Sequence, residues 1–115
     1  MAESDASAEP LLRVERHDHD GVPHLELIGE LDLSTVDPLK LRLELVERDE
    51  PETIVVDLRR VTFMDSMGLG ILVSHRLHAR QAGRHLLLVP GPKHIQDLFE
   101  LTGMLQQFDW VEPAD

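Results

Sequence analysis

The sequence predicts an α/β fold: a mixed sheet of four to five strands, an opening hairpin followed by β-α units, with helices packed on it. Three observations carry this. Asp20-Gly21 divides two extended runs as a hairpin turn does. The runs "TIVVDL" (53–58) and "RHLLLV" (84–89) are short, apolar and read as buried strands. Between and after them lie segments whose apolar residues recur at helical spacing. Strands joined through helices imply parallel neighbours, since only a crossover connects them.

The elements follow in order. In "LLRVERHDHDGVPHLELIGELD", Leu25, Leu27 and Gly29 alternate with His24, Glu26 and Ile28, as in a strand with one polar face. "STVDPLKLRLELVERDE" is ambiguous by period: Leu39, Leu41, Leu43 and Leu45 alternate, while Leu39, Leu43 and Val46 fit a helix. Its Leu, Lys, Arg and Glu content favours the helix, over about 35–49. Ser34 with Asp37 has the form of a capping box, Pro38 is tolerated in a first turn, and Pro51 closes the segment. After "ETIVVDLRRV", Leu69, Leu72, Val73 and Leu77 form one apolar stripe over 66–82, and Gly83 is placed to stop that helix. "PGP" is a turn, and "KHIQDLFELTG" a short helix with Ile95, Leu98, Phe99 and Leu101 facing in. "MLQQFDWV" ends the fold as an edge strand or loop. The order is β-β-α-β-α-β-α with a possible final strand.

Length and composition fit one domain. Of 115 residues, 42% are hydrophobic but only 3% aromatic, so aliphatic side chains must fill the core. Residues 1–10, "MAESDASAEP", read as a disordered acidic leader without the basic start or apolar core of a signal peptide, and residues 11–115 as a single domain. The absence of cysteine removes disulfides, thiolate catalysis and Cys-ligated zinc, and fits a reducing cytosol. A net charge of −11 disfavours direct binding to nucleic acid or anionic lipid and suits docking on a basic partner. No apolar run approaches the roughly 20 residues of a membrane span. A cytoplasmic protein, monomeric or weakly dimeric, is expected.

Several clusters invite a chemical reading. "HDHD" (17–20) has metal-ligand residue types, but neighbours on a strand point to opposite faces, so at most His17 and His19 share one; a solvated hairpin tip is expected. His75 and His78 lie three apart beside Arg76 and Arg80, which disfavour a metal. "GLG" (68–70) lacks the third glycine of a dinucleotide fingerprint and the Lys of a P-loop. "DSMGLG" is not a nucleophile elbow, which needs Gly two residues before the Ser. No catalytic residue, metal site or cofactor is assigned. Ser66 remains, at a strand-to-helix junction. Its hydroxyl can cap the helix, and a phosphate placed there would meet free N–H groups and the favourable end of the dipole. Gly68 and Gly70 each cost about 1 kcal/mol against Ala in a helix, which points to a surface that another molecule approaches.

"GELDLST" (29–35), "IVVDLRRVTFMDSMGLGILV" (54–73) and "HIQDLFELTGM" (94–104) resemble the STAS domain, and within it the small, free-standing anti-sigma factor antagonists. The resemblance spans about residues 12–111. It implies partner switching: an unphosphorylated antagonist binds an anti-sigma factor that is also a serine kinase, and so releases a sigma factor and turns transcription on. That kinase, with ATP and Mg²⁺, modifies the serine after the Asp of the motif, here Ser66. The modified antagonist lets go, and a metal-dependent serine phosphatase restores it. The chain itself is then substrate and ligand, not enzyme. Asp32 resembles the acidic residue that serves the kinase interaction near the phosphosite, and Asp65, Met67, Gly68 and Gly70 complete the expected partner-binding set. Most members carry Ser or Thr directly after the modified serine, where this chain has Met67. The alternative is a STAS module without a phosphoswitch: a scaffold, a lipid-pathway accessory or a small-ligand sensor.

Overall fold

The structure, a computed structural model, describes residues 10–114. The acidic leader expected at the amino terminus therefore lies, Pro10 excepted, outside the described residues. Five strands form one mixed sheet in the order β1-β2-β3-β4-β5. These are β1 (Leu12–His19), β2 (Val22–Leu31), β3 (Thr53–Met64), β4 (His85–Val89) and β5 (Asp109–Trp110). The first pair is antiparallel and every later pair parallel. Helices α1 (Val36–Glu47), α2 (Ser66–Gln81) and α3 (Lys93–Leu101) supply the crossovers.

The hairpin is fixed by its turn. Asp20 and Gly21 both have positive φ, 52° and 80°, as a two-residue turn matched to strand twist requires. The resulting register places Leu25 and Leu27, both fully buried, on the core face, with His24 and Glu26 on the other. One cluster joins these leucines to Ile54, Val56 and Leu58 of β3 and Leu86 and Leu88 of β4. Leu39, Leu43 and Val46 of α1, Leu69, Leu72 and Ala79 of α2, and Ile95 and Phe99 of α3 belong to the same cluster. Phe99 also meets Phe108 and Trp110 edge-on, at 5.5 and 5.0 Å between ring centroids. Three of the four Phe and Trp residues thus gather where β5 closes the sheet, Phe63 excepted.

Several local expectations are corrected. α1 ends at Glu47, before Pro51, and its N-cap is Thr35 without a side-chain capping bond. No Ser34/Asp37 box forms, because the Ser34 hydroxyl and amide both donate to Asp32 Oδ1, at 2.7 and 2.9 Å. Leu41 and Leu45 point outward, which resolves the period-two ambiguity in favour of the helix. On α2 the stripe is narrower than expected: Leu69 and Leu72 are buried, but Val73 and Leu77 are exposed, and Gly68 and Ala79 take their places inside. Leu101, expected inside, is 85% exposed at the end of α3. α2 stops as expected at Gly83, where Gly83 N–H donates to Arg80 and Arg84 N–H to Ala79.

Candidate functional site

The carboxyl ends of β2 and β3 lie side by side. Leu31 and Met64 are register partners, so Asp32 and Asp65 leave the sheet together, one residue later on each strand. The Asp65 N–H donates to the Leu31 carbonyl at 3.3 Å and ties the two exits. The Asp32 loop is held from within: Thr35 Oγ1 donates to the Glu30 carbonyl at 2.7 Å and accepts from the Asp32 N–H at 3.0 Å. Asp32 thus ends a strand and builds a turn through its own carboxylate.

Asp65, not Ser66, caps α2. Its Oδ1 accepts from the Met67 and Gly68 N–H groups, both at 3.0 Å. Ser66 is the first helical residue, exposed, and makes no capping bond of its own. This changes the expected electrostatics. The first-turn amides that a phosphate on Ser66 was expected to meet are already taken by a carboxylate, so added negative charge would be repelled by Asp65 and turned towards solvent. Replacing Asp65 by alanine is expected to cost about 1 kcal/mol in urea denaturation, whereas Asp65→Asn, which keeps the accepting oxygen, should cost less.

The two glycines differ. A Cβ on Gly68 would lie 2.5 Å from the Leu31 carbonyl oxygen and 2.7 Å from Leu31 Cγ. Glycine here is needed by the fold itself, so the helix can sit on the end of β2, and calls for no outside surface. A Cβ on Gly70 would meet nothing within 4 Å. Around the junction the surface carries Leu33 (66% exposed), Phe63 (47%) and Met67 (49%). Leu33 and Phe63 were not singled out from the sequence. Alternation from buried Val61 would turn Phe63 inward, but the β2–β3 register shifts between Gly29 and Glu30, so Phe63 faces out and Met64 is buried.

Elsewhere, the "HDHD" segment does not converge as a linear ligand set. Asp18 is held by Arg16, at 2.8 and 3.1 Å, and Asp20 belongs to the turn. His75 and His78 border a cavity of about 450 Å³ between α1 and α2, with Lys40, Glu44, Glu47 and Arg84. His75 is half-buried rather than solvated, and burial holds its pKa below the usual imidazole range against the opposing pull of Glu44 and Glu47. Arg84 donates to Glu47 at 2.6 Å, while its Nε, buried, has no partner. Among the described residues no helix is long and apolar enough to cross a membrane.

Known proteins resemble this chain in family, sequence and structure. The family described as STAS domain matches residues 13–114. An anti-sigma-B factor antagonist of Staphylococcus aureus is 33% identical over 93 residues, 81% of this chain and 86% of its own length. An anti-sigma F factor antagonist of Paenibacillus polymyxa is 30% identical over 96 residues, 83% and 82% of the two chains. Among solved structures, an anti-sigma factor antagonist from Mycobacterium paratuberculosis superimposes with a TM-score of 0.80 at 28% identity, covering 90% of this chain and 88% of that one.

Proposed function

Because the chain belongs to the STAS domain family, we propose that it is an anti-sigma factor antagonist. In this reading it binds a cognate anti-sigma factor with serine-kinase activity while unphosphorylated, releases a sigma factor, and is switched off by phosphorylation of Ser66. A serine phosphatase resets it. The relatives' role as antagonists supports the partner class. The observation that carries the switch is the exposed Ser66 hydroxyl at the start of α2, flanked by the Asp65 cap and by the Asp32 loop on the adjoining strand. An accessible hydroxyl is what a kinase needs, and two nearby carboxylates make the product charge costly to cover with a partner.

In this reading Met67, Gly70, Leu33 and Phe63 supply apolar and bare contact area around the serine, and Asp32 and Asp65 supply the charges that a basic partner recognises. Gly68 contributes indirectly, by letting α2 approach β2. Chemistry belongs to the partners, and the chain carries no assigned catalytic group. Incubation with the cognate kinase, ATP and Mg²⁺ is expected to raise the intact mass by one phosphate, and Ser66→Ala should abolish the gain. A mass gain that persists in Ser66→Ala, or none in the native chain with a kinase active on another substrate, would overturn the switch.

A second reading, a small-ligand module without a phosphoswitch, has one observation in its favour: the cavity between α1 and α2 with the unpartnered Arg84 Nε. Native mass spectrometry separates the two. A nucleotide or lipid that co-purifies stoichiometrically favours the second.

A further inference from the structure

We propose that the open face of the β1–β2 hairpin is a binding site for a zinc-class divalent ion, with Glu15, His17 and Glu26 as ligands. Alternation puts Glu15 and His17 on one face of β1, and the antiparallel register places Glu26 directly opposite Glu15. His17 Nε2 lies 3.7 Å from Glu15 Oε1 and 3.6 Å from Glu26 Oε1. One donor atom from each of the three residues lies within 4.8 Å of the other two, the one such grouping among the described residues. Ligands of a tetrahedral zinc ion, at about 2.1 Å each, stand about 3.4 Å apart. The two His17 separations thus need to close by only a few tenths of an ångström, and the two carboxylate oxygens, within 4.8 Å of each other, by at most about 1.4 Å.

The surrounding groups act in both directions, because neighbouring cations oppose a metal while fixing its ligands. The far oxygen of each carboxylate faces an arginine: Glu15 Oε2 accepts from Arg13 at 2.8 Å, and Glu26 Oε2 lies 3.8 Å from Arg60. The hydrogen bond from Arg13 leaves Glu15 Oε1 for His17, as outer partners do around metal ligands, while Arg60 makes only an ion pair with Glu26. His24, the register partner of His17, lines with His17, Glu26, Asp57 and Arg59 a hollow of about 230 Å³ that Glu15 does not border. Its Nδ1 lies 3.0 Å from the Val22 carbonyl, which can hold the ring with Nε2 directed away from the backbone, although its ligand atoms do not fall within the 4.8 Å grouping of the other three. One or two imidazoles with carboxylates select zinc-like ions over Mg²⁺ or Ca²⁺, which take oxygen alone. The chain's charge of −11 adds long-range attraction for a cation. The two arginines offset the carboxylates locally and so weaken the attraction for a cation. The linear "HDHD" pattern hid this arrangement, because its partners are a residue two positions earlier and one across the turn.

The test is calorimetric titration of the full chain with Zn²⁺ at neutral pH in a non-chelating buffer, with amide NMR to locate the ion. One Zn²⁺ per chain is expected, perturbing amides at 15, 17 and 26. Affinity should fall at least tenfold in His17→Ala and several-fold in the shape-conserving Glu26→Gln. The double variant His75→Ala, His78→Ala should bind like the native chain, and excess Mg²⁺ should not compete. All three side chains are at or near the surface, so an unchanged remainder of the NMR spectrum certifies folding. Absence of saturable binding up to millimolar Zn²⁺ would overturn the proposal. So would binding that survives His17→Ala or vanishes with the pair at 75 and 78.

Discussion

Replacing Gly68 by alanine is expected to destabilise the chain by about 1–3 kcal/mol, although the same change in an ordinary helix would add about 1 kcal/mol. The sign reverses because the new Cβ would sit 2.5 Å from the Leu31 carbonyl oxygen, a backbone atom with no rotamer to yield. Leu31 is fully buried, and its carbonyl also receives the Asp65 N–H, so α2 cannot back away without loosening the strand-end contact that positions Ser66. Gly70→Ala is the internal control. Its Cβ enters open space, so it should stabilise by about 0.5–1 kcal/mol through helix propensity and a less mobile unfolded chain. Urea midpoints for the two variants, measured side by side, should move in opposite directions. Equal stabilisation by both would mean that α2 does not rest on β2 as described.

That pair also shows where sequence reading reached its limit. Two glycines two residues apart in a helix carry the same propensity cost. Only the tertiary approach of Leu31 tells the one the fold needs from the one the surface tolerates. The architecture was legible because its signals are local: Asp20-Gly21 at the turn, consecutive β-branched residues from Thr53 to Val56, and Gly83 past the end of a helical period. The helix over 36–47 needed composition to overrule alternation, and the outward Leu41 and Leu45 show why the period alone misleads. At the site, adjacency of Asp32 and Asp65 came from the family resemblance, and the register of β2 on β3 supplies its geometric basis. The cap lies one residue before Ser66, because Asp65 and Ser66 are equally good caps by residue type and only the backbone turn decides between them. Val73, Leu77 and Leu101 face outward despite their helical spacing, since hydrophobicity marks a helix face but not its width, and nothing in the chain reports how far a neighbouring strand extends.

If the chain acts as proposed, phosphorylation of Ser66 is expected to weaken binding to the cognate anti-sigma factor at least a hundredfold, about 2.8 kcal/mol at 1.4 kcal/mol per decade. The modification adds about −1.5 to −2 charges where one carboxylate already occupies the first-turn amides and another loop ends alongside. With those donors filled, the phosphate gains little from the helix end and projects into the area that Leu33, Phe63 and Met67 leave exposed. A partner covering that area must desolvate the dianion, face the repulsion, or stand off. Titration calorimetry on the two purified forms measures the difference directly. Salt then separates its causes: a repulsive contribution shrinks as ionic strength rises and the screening length falls to about 8 Å near 0.15 M, whereas a steric one persists. Ser66→Glu, with one charge and a planar head, should reproduce only part of the loss. Equal affinity of the two forms would detach Ser66 from the interface. A loss that Asp65→Asn leaves unchanged in size would instead assign the penalty to bulk and desolvation rather than to the neighbouring charge.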